Sequence, residues 1–354
     1  MRGRFNHVAR VFCLAGLGLL AACAPGAWNT PYPASERDRA VFYTTFHERP
    51  KHLDPALSYS ENEAVVIAQI YEPLVQYHYL KRPYELAPLT AEEVPQPVYL
   101  DAAGATLPPD APDSAVARTV YRIHLKSGIR YAPHPAFARG EHEGYRYHGP
   151  GASLPAHFRT LNDFDQTGTR ELVAADYVYQ IKRLVHPRLQ SPIAGVMVHY
   201  LHGLSALAER LRALPAGEDG WLDLREVEFD GARALDAHTL EITLDGKYPQ
   251  FIYWLAMPFF APMPWEAERF YARPGMAERN LSLEWYPVGT GAYFLRENNP
   301  NARMVLARNP EFHGETYPAE GMPEDAAAGL LADAGKALPM IDEVHFMLEK
   351  EQIP

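Results

Sequence analysis

The chain of 354 residues contains two cysteines, Cys13 and Cys23, and both lie at its N-terminal end. Everything after Cys23 is without a thiol. A disulfide, a zinc–thiolate site and a cysteine nucleophile are closed to that part, so its fold must rest on an apolar core alone. The composition permits such a core: apolar residues make up 47% of the chain and charged residues 22%, ordinary values for a globular protein. The length fits two or more domains. A formal net charge of −11 favours solubility and argues against nucleic acid as a partner.

The same end of the chain reads as an export signal. Arg2, Arg4 and Arg10 precede an apolar run, Val11 to Leu20, which is too short to span a bilayer as a stable helix. Leu20-Ala21-Ala22-Cys23 resembles a bacterial lipobox. That resemblance implies a signal peptide over residues 1–22, cleavage before Cys23, lipidation of its thiol, and attachment to a membrane of the cell envelope through acyl chains. An ordinary secretory signal or a retained N-terminal anchor is the alternative. Residues 23–40, polar and proline-containing, read as a tether.

Beyond the tether, periodicity predicts alternating strands and helices. Val41 to Phe46, rich in β-branched and aromatic residues, is a first strand. Ser60-Glu61-Asn62-Glu63 has a capping-box pattern and opens a helix with Val66, Ile67, Ile70 and Leu74 on one face, ended by Pro73. Residues 95–117 read as an exposed excursion or irregular hairpin. Thr119 to Leu125 alternates as a half-buried strand, followed by a short strand Ile129 to Tyr131. Asp176 to Val185 is an amphipathic helix with Pro187 beyond its end. Residues 193–214 look helical, and Thr239–Leu244, Arg303–Arg308 and Glu343–Leu348 alternate as strands.

Several chemistries are excluded. The chain has no Gly-x-Ser-x-Gly elbow, no His-Glu-x-x-His and no phosphate-binding Walker loop. Glu92-Glu93 reads as a solvated pair. His124, His134, His142, His148 and His157 cluster in a loop-rich stretch, but their spacing matches no metal motif, and they read as solvated loop residues. Neither a metal nor a cofactor is expected, and the chain is read as a non-enzyme.

Leu53-Asp54-Pro55, Gln69-Ile70-Tyr71-Glu72-Pro73-Leu74, Tyr121 to Tyr131, Ala174 to Arg183, Pro287-Val288-Gly289-Thr290-Gly291-Ala292-Tyr293, Arg308-Asn309-Pro310-Glu311-Phe312 and Leu338-Pro339-Met340-Ile341-Asp342-Glu343-Val344 occur in an order that resembles one family. It is the peptide-binding class (family 5) of bacterial extracellular solute-binding proteins, the substrate receptors of ABC importers. The chain is similar to the N-terminal part of such a protein.

The resemblance implies an α/β, periplasmic binding protein-like fold (class II, cluster C type) with mixed sheets. It is incomplete, with the second lobe missing: such proteins run on past the point where this chain ends, at Gln352-Ile353-Pro354. The implied domains are an incomplete domain I over 41–71 and 230–354, domain II over 72–229, and no domain III. The implied function is capture of an oligopeptide between two lobes and its delivery to permease subunits in the inner membrane, by a monomer anchored in the periplasm. Other implied ligands are a dipeptide, a nickel chelate or an oligosaccharide. A rival reading is an envelope interaction module or a non-functional fragment. Tyr59, Ser60 and Glu61 are expected at the cleft, where their backbone would pair with an extended ligand and Glu61 would meet a positive group; Ser60 and Glu61 equally read as a helix cap. Tyr71 is a ligand contact or a core residue. Gly289-Thr290-Gly291 is a backbone approach to the ligand or a plain tight turn. Trp265 and Trp254 line the pocket or pack in the core.

Overall fold

The computed structural model describes residues 39–140, 144–149, 154, 157–215, 217, 220–299 and 301–349. Residues 41–354 form one compact unit, separate from Met1–Ala40. The expected signal peptide, Cys23 and nearly all of the expected tether lie outside the described residues. No helix among the described residues is long and apolar enough to cross a membrane.

The strands in chain order are β1 (Val41–Phe46), β2 (Val75–Tyr77), β3 (Leu86–Pro88), β4 (Pro97–Leu100), β5 (Thr106–Leu107), β6 (Arg118–His124), β7 (Ala232–Ala234), β8 (Thr239–Asp245), β9 (Tyr293–Asn299), β10 (Arg303–Arg308), β11 (Glu315–Thr316), β12 (Ala337–Leu338) and β13 (Glu343–Leu348). The helices are α1 (Glu61–Ile67), α2 (Ala174–Arg183), α3 (Ala194–Met197), α4 (Leu204–Ala213), α5 (Phe251–Trp254), α6 (Trp265–Tyr271) and α7 (Pro323–Ala327).

Two larger sheets carry the fold. One has the order β1-β13-β10-β9 and is mixed, with β1 parallel to β13 and the other pairs antiparallel. Its inner strand β10 buries Met304 to Ala307 without a break, as a strand covered on both faces does. The second is antiparallel, in the order β5-β4-β6-β8-β7. Here β6 buries Thr119, Tyr121 and Ile123 and turns Arg122 outward, so period-two patterning and register agree. Arg122 and Arg233 meet Glu241 across neighbouring strands, at 2.9 and 2.6 Å. β6 and β8 pair along seven residues, although they stand on opposite sides of the boundary drawn at residue 230. The excursion at 95–117 holds the β4–β5 hairpin.

The helical reading of 193–214 is corrected. Gly203 takes a left-handed conformation (φ 71°) and divides the segment into α3 and α4. Arg130 pairs with Glu171 through a single bridge, so Ile129–Tyr131 is no strand.

The loop histidines also need correcting. His124 and His157 are exposed, but His134 and His148 are buried in an aromatic wall with Phe137, Tyr145, Trp265 and Phe270; His142 lies outside the described residues. His134 Nδ1 accepts the Ala136 N–H at 3.0 Å, which leaves Nε2 to face the Tyr271 hydroxyl at 2.9 Å. Burial, followed by the neighbouring His148, pushes the His134 pKa down to about 3, and burial takes His148 to about 4. Above the unfolded value both states are neutral and stability is full. As pH falls through about 6.5 the unfolded chain takes up protons that the folded chain refuses. We expect His134 alone to lose about 2 kcal/mol of stability between pH 7.5 and 5. In urea melts, His134→Asn should be weaker at neutral pH but flatter over that interval; an unchanged slope would refute the assignment.

Candidate functional site

Charged residues of two of the quoted motif segments meet one another inside the protein. Asp54 and Arg183 form a buried bidentate pair, Nη1 to Oδ1 at 3.0 Å and Nη2 to Oδ2 at 2.6 Å, with side chains 3% and 1% exposed. Arg183 also donates through Nε to Glu268 at 2.7 Å and through Nη1 to Gln180 at 2.9 Å. Burial works against its charge, but Asp54 and Glu268 overcome that and hold its pKa well above the ordinary value. Asp54 Oδ1 accepts the Ala56 N–H at 2.9 Å as well. One side of the 51–60 loop is thereby pinned to α2.

Glu63 pins the other side. Its Oε1 accepts the N–H groups of Lys51 and His52, at 3.2 and 2.9 Å, and its Oε2 those of Tyr59 and Ser60, at 3.0 and 3.2 Å. Burial favours the neutral acid, yet the hydrogen bonds from Ser60, His52 and Tyr59 win and draw Glu63 down to about 2. The acid foreseen as the far end of a capping box therefore closes the whole loop onto the head of α1. Tyr59 is presented outward, 75% exposed and with its ring 6.5 Å from that of Phe259, and Ser60 and Glu61 are exposed beside it. The N–H groups of Tyr59 and Ser60 are spent on Glu63. Those two donors are therefore not open to a ligand; the Tyr59 ring and the Glu61 carboxylate are the exposed groups beside them.

The far end of α1 carries the remaining expected residues. Gly291 N–H donates to the Ile70 carbonyl at 2.8 Å and Tyr293 N–H to that of Gln69 at 3.0 Å, satisfying acceptors that the end of a helix leaves open. Asn309 holds the turn from outside through Nδ2 to the Gly291 carbonyl at 2.9 Å, and the Tyr293 hydroxyl reaches the Ile341 carbonyl at 2.8 Å. Gly289 and Thr290 are buried in this packing. Tyr71 is 2% exposed, and burial followed by the Asp54 charge keeps its phenol neutral by raising its pKa. Glu72 meets His313 Nε2 at 2.9 Å. Tyr71 and Gly291 share the wall of a pocket of about 220 Å³ with Gln76, Tyr79 and Glu315.

Trp265 stands apart from these. It is half-buried on a cavity of about 480 Å³, with the Arg225 guanidinium 3.9 Å over its ring. Under that cavity Arg170 binds Asp176 at 2.7 Å and Glu266 at 2.7 Å. Trp254 packs against the core and donates to the Tyr248 hydroxyl at 3.1 Å. The structure thus places Tyr59–Glu61 and Tyr71–Gly291 at the two ends of one helix and Trp265 in a different cavity. Reading the sequence missed Glu63, Glu268 and the Asp54–Arg183 pair as the groups that hold the site. No local signal marks them: Arg183 follows Lys182 in a segment that also carries Asp176 and Gln180. Among the described residues, no group of three or more His, Cys, Asp or Glu side chains could hold a metal ion.

Comparison with known proteins identifies the family and the fold. The family model of bacterial extracellular solute-binding proteins, family 5 Middle, matches residues 166–352, more than half of the chain. The periplasmic oligopeptide-binding protein OppA of Salmonella typhimurium is 30% identical over 202 residues, 57% of this chain and 32% of that protein. The probable deoxycholate-binding periplasmic protein YgiS of Escherichia coli is 28% identical over 309 residues, 87% of this chain and 42% of that protein. Among solved structures, the substrate-binding domain of an oligopeptide ABC transporter from Bacillus anthracis superposes with a TM-score of 0.52 at 15% identity, over 88% of this chain and 42% of that one. The periplasmic binding protein DppA from Helicobacter pylori, in complex with the peptide STSA, gives 0.51 at 17% identity, over 90% and 45%. The fold is that of periplasmic peptide-binding proteins, as expected. The chain spans less than half the length of these relatives.

Proposed function

The chain belongs to the bacterial extracellular solute-binding proteins of family 5, binding proteins rather than enzymes, and from that premise we propose that it captures peptides for an ABC-type importer. The observation that carries this reading is the outward-facing Tyr59-Ser60-Glu61 edge, held by Glu63 on one side and by Asp54 and Arg183 on the other. A rigid edge loses little entropy when a flexible peptide is laid on it. The ligand's polar main chain must be paired as it leaves water, because unpaired groups would cost more than the contact returns. Closure of an opposing lobe over this edge would complete the pairing and signal a permease. The reading includes a periplasmic location, attachment through lipidated Cys23, and a monomer; domain I over 41–71 and 230–354 and domain II over 72–229 are part of the same proposal. A second reading, an amphipathic acid as ligand, is favoured by the 309-residue match to the deoxycholate-binding relative.

Calorimetric titration of the full chain with short peptides and with deoxycholate separates the two. We expect Tyr59→Ala to weaken peptide binding by about tenfold, the loss typical of an aromatic anchor. Glu61→Gln should weaken only peptides with a positive N-terminal region, by about threefold to tenfold. Binding of deoxycholate but no peptide would overturn the first reading in favour of the second.

A further inference from the structure

One short turn, Pro258–Phe260, touches both parts of the candidate site that α1 separates. Pro258 lies in the wall of the pocket of Tyr71 and Gly291. The ring of Phe259 stands 6.5 Å from the ring of Tyr59 and is tilted by 39° to it, within the range over which aromatic pairs attract. Phe259 is buried and Tyr59 is exposed, so the inner ring backs the outer one. The bonds to Asp54 and Glu63 fix the backbone of the 51–60 loop; the Tyr59 ring itself leans on Phe259.

Gln180 holds Phe259 in that place. It lies fully buried on α2, and its amide is engaged at both ends. Oε1 accepts from Arg183 Nη1 at 2.9 Å, and Nε2 donates to the Phe259 carbonyl at 3.0 Å. A guanidinium only donates, so the bond to Arg183 decides which way round the amide lies and leaves its nitrogen for Phe259. A buried carbonyl stripped of its donor is costly, and the turn would shift to recover one. The same Arg183 grips Asp54 through Nη1 and Nη2. One guanidinium thus orders the loop that carries Tyr59, through Asp54, and the ring behind Tyr59, through Gln180.

We propose that Gln180 is a positioning residue for ligand capture: it sets the presentation of the Tyr59 ring by way of Phe259. This rests on the reading of Tyr59–Glu61 as the ligand edge. Gln180→Glu isolates the link. A carboxylate there still accepts from Arg183 and stays ionised beside it, but it offers the Phe259 carbonyl no donor. Two readouts on the full chain test it: the fluorine resonance of 3-fluorotyrosine installed at position 59 alone, and calorimetric titration with the tripeptide Lys-Phe-Lys. In Gln180→Glu the resonance should shift without any ligand, and the tripeptide should bind about threefold to tenfold more weakly, no more than the loss expected for Tyr59→Ala. In a Tyr59→Ala background the same change should alter affinity by less than about twofold, because the group through which Gln180 acts is gone. An unmoved resonance overturns the proposal. So does an equal loss of affinity in the Tyr59→Ala background, the result of a merely structural role. Should Gln180→Glu not fold, Gln180→Met, uncharged and of similar volume, faces the same two tests. If the parent binds no tripeptide, the reading of the edge falls, and the resonance alone decides for or against the positioning.

Discussion

Asp54→Ala should destabilise the protein by about 3 to 5 kcal/mol, the range for removing one partner of a buried ion pair. Arg183 is 1% exposed and donates to both Asp54 oxygens. Glu268 still meets its Nε after the substitution, but Nη2 is stranded in the interior. The cost comes from the uncompensated guanidinium rather than from the Coulomb attraction as such. Asp54→Leu combined with Arg183→Met should recover only part of the loss: the apolar pair escapes the desolvation penalty, but Glu268 loses its cation. Urea denaturation of Asp54→Leu, Arg183→Met and their combination closes the cycle; Asp54→Ala within about 1 kcal/mol of the parent would show that the pair is not what locks the loop. Function should follow stability. The 51–60 loop loses its attachment to α2 and the Ala56 N–H loses its acceptor, so peptide capture at Tyr59–Glu61 should weaken even where the fold survives.

Much of the scaffold was legible in the periodicity of its apolar residues. β6 alternates cleanly, and α2 ends before Pro187 as its pattern requires. The parts that could not be read are those that distant residues decide. His134 and His148 sit in a polar, loop-rich stretch and look solvated, yet α6, more than a hundred residues later, covers them with Trp265 and Phe270. β2 and β3 are three residues each, too short to show a period. At the site, the Ser60–Glu63 cap was visible locally, and Tyr59 and Glu61 are exposed beside it. What makes that edge rigid was not visible: Asp54 and Arg183 are 129 residues apart, and each reads alone as a surface charge. The Gly-Thr-Gly turn was open to two readings. Its observed bond from Gly291 N–H to the Ile70 carbonyl, next to that from Tyr293 N–H to Gln69, gives it a packing role just past the end of α1.

That role makes Gly289 the position where a single methyl group should do most harm. A Cβ placed there would lie 2.0 Å from the Ile70 carbonyl oxygen and 2.8 Å from its carbon. Both are backbone atoms at the end of a helix, so no side chain can swing aside. Either the turn or α1 must move, and with it go the Gly291-to-Ile70 bond and the bond from Ala132 N–H to the Gly289 carbonyl, 2.8 and 2.9 Å long. Gly289→Ala should cost about 3 kcal/mol or more, at the upper end of overpacking penalties. Gly195 is the control: it lies within α3 and a Cβ there meets nothing within 4 Å, so Gly195→Ala should stay within about 1 kcal/mol of the parent or raise stability slightly. Equal melting of the two variants would mean that the turn yields freely and does not brace the helix. If Gly289→Ala is the weaker, the displacement should also reach the pocket shared by Tyr71 and Gly291. Ligand capture should then fall together with stability, in a variant whose altered residue is buried.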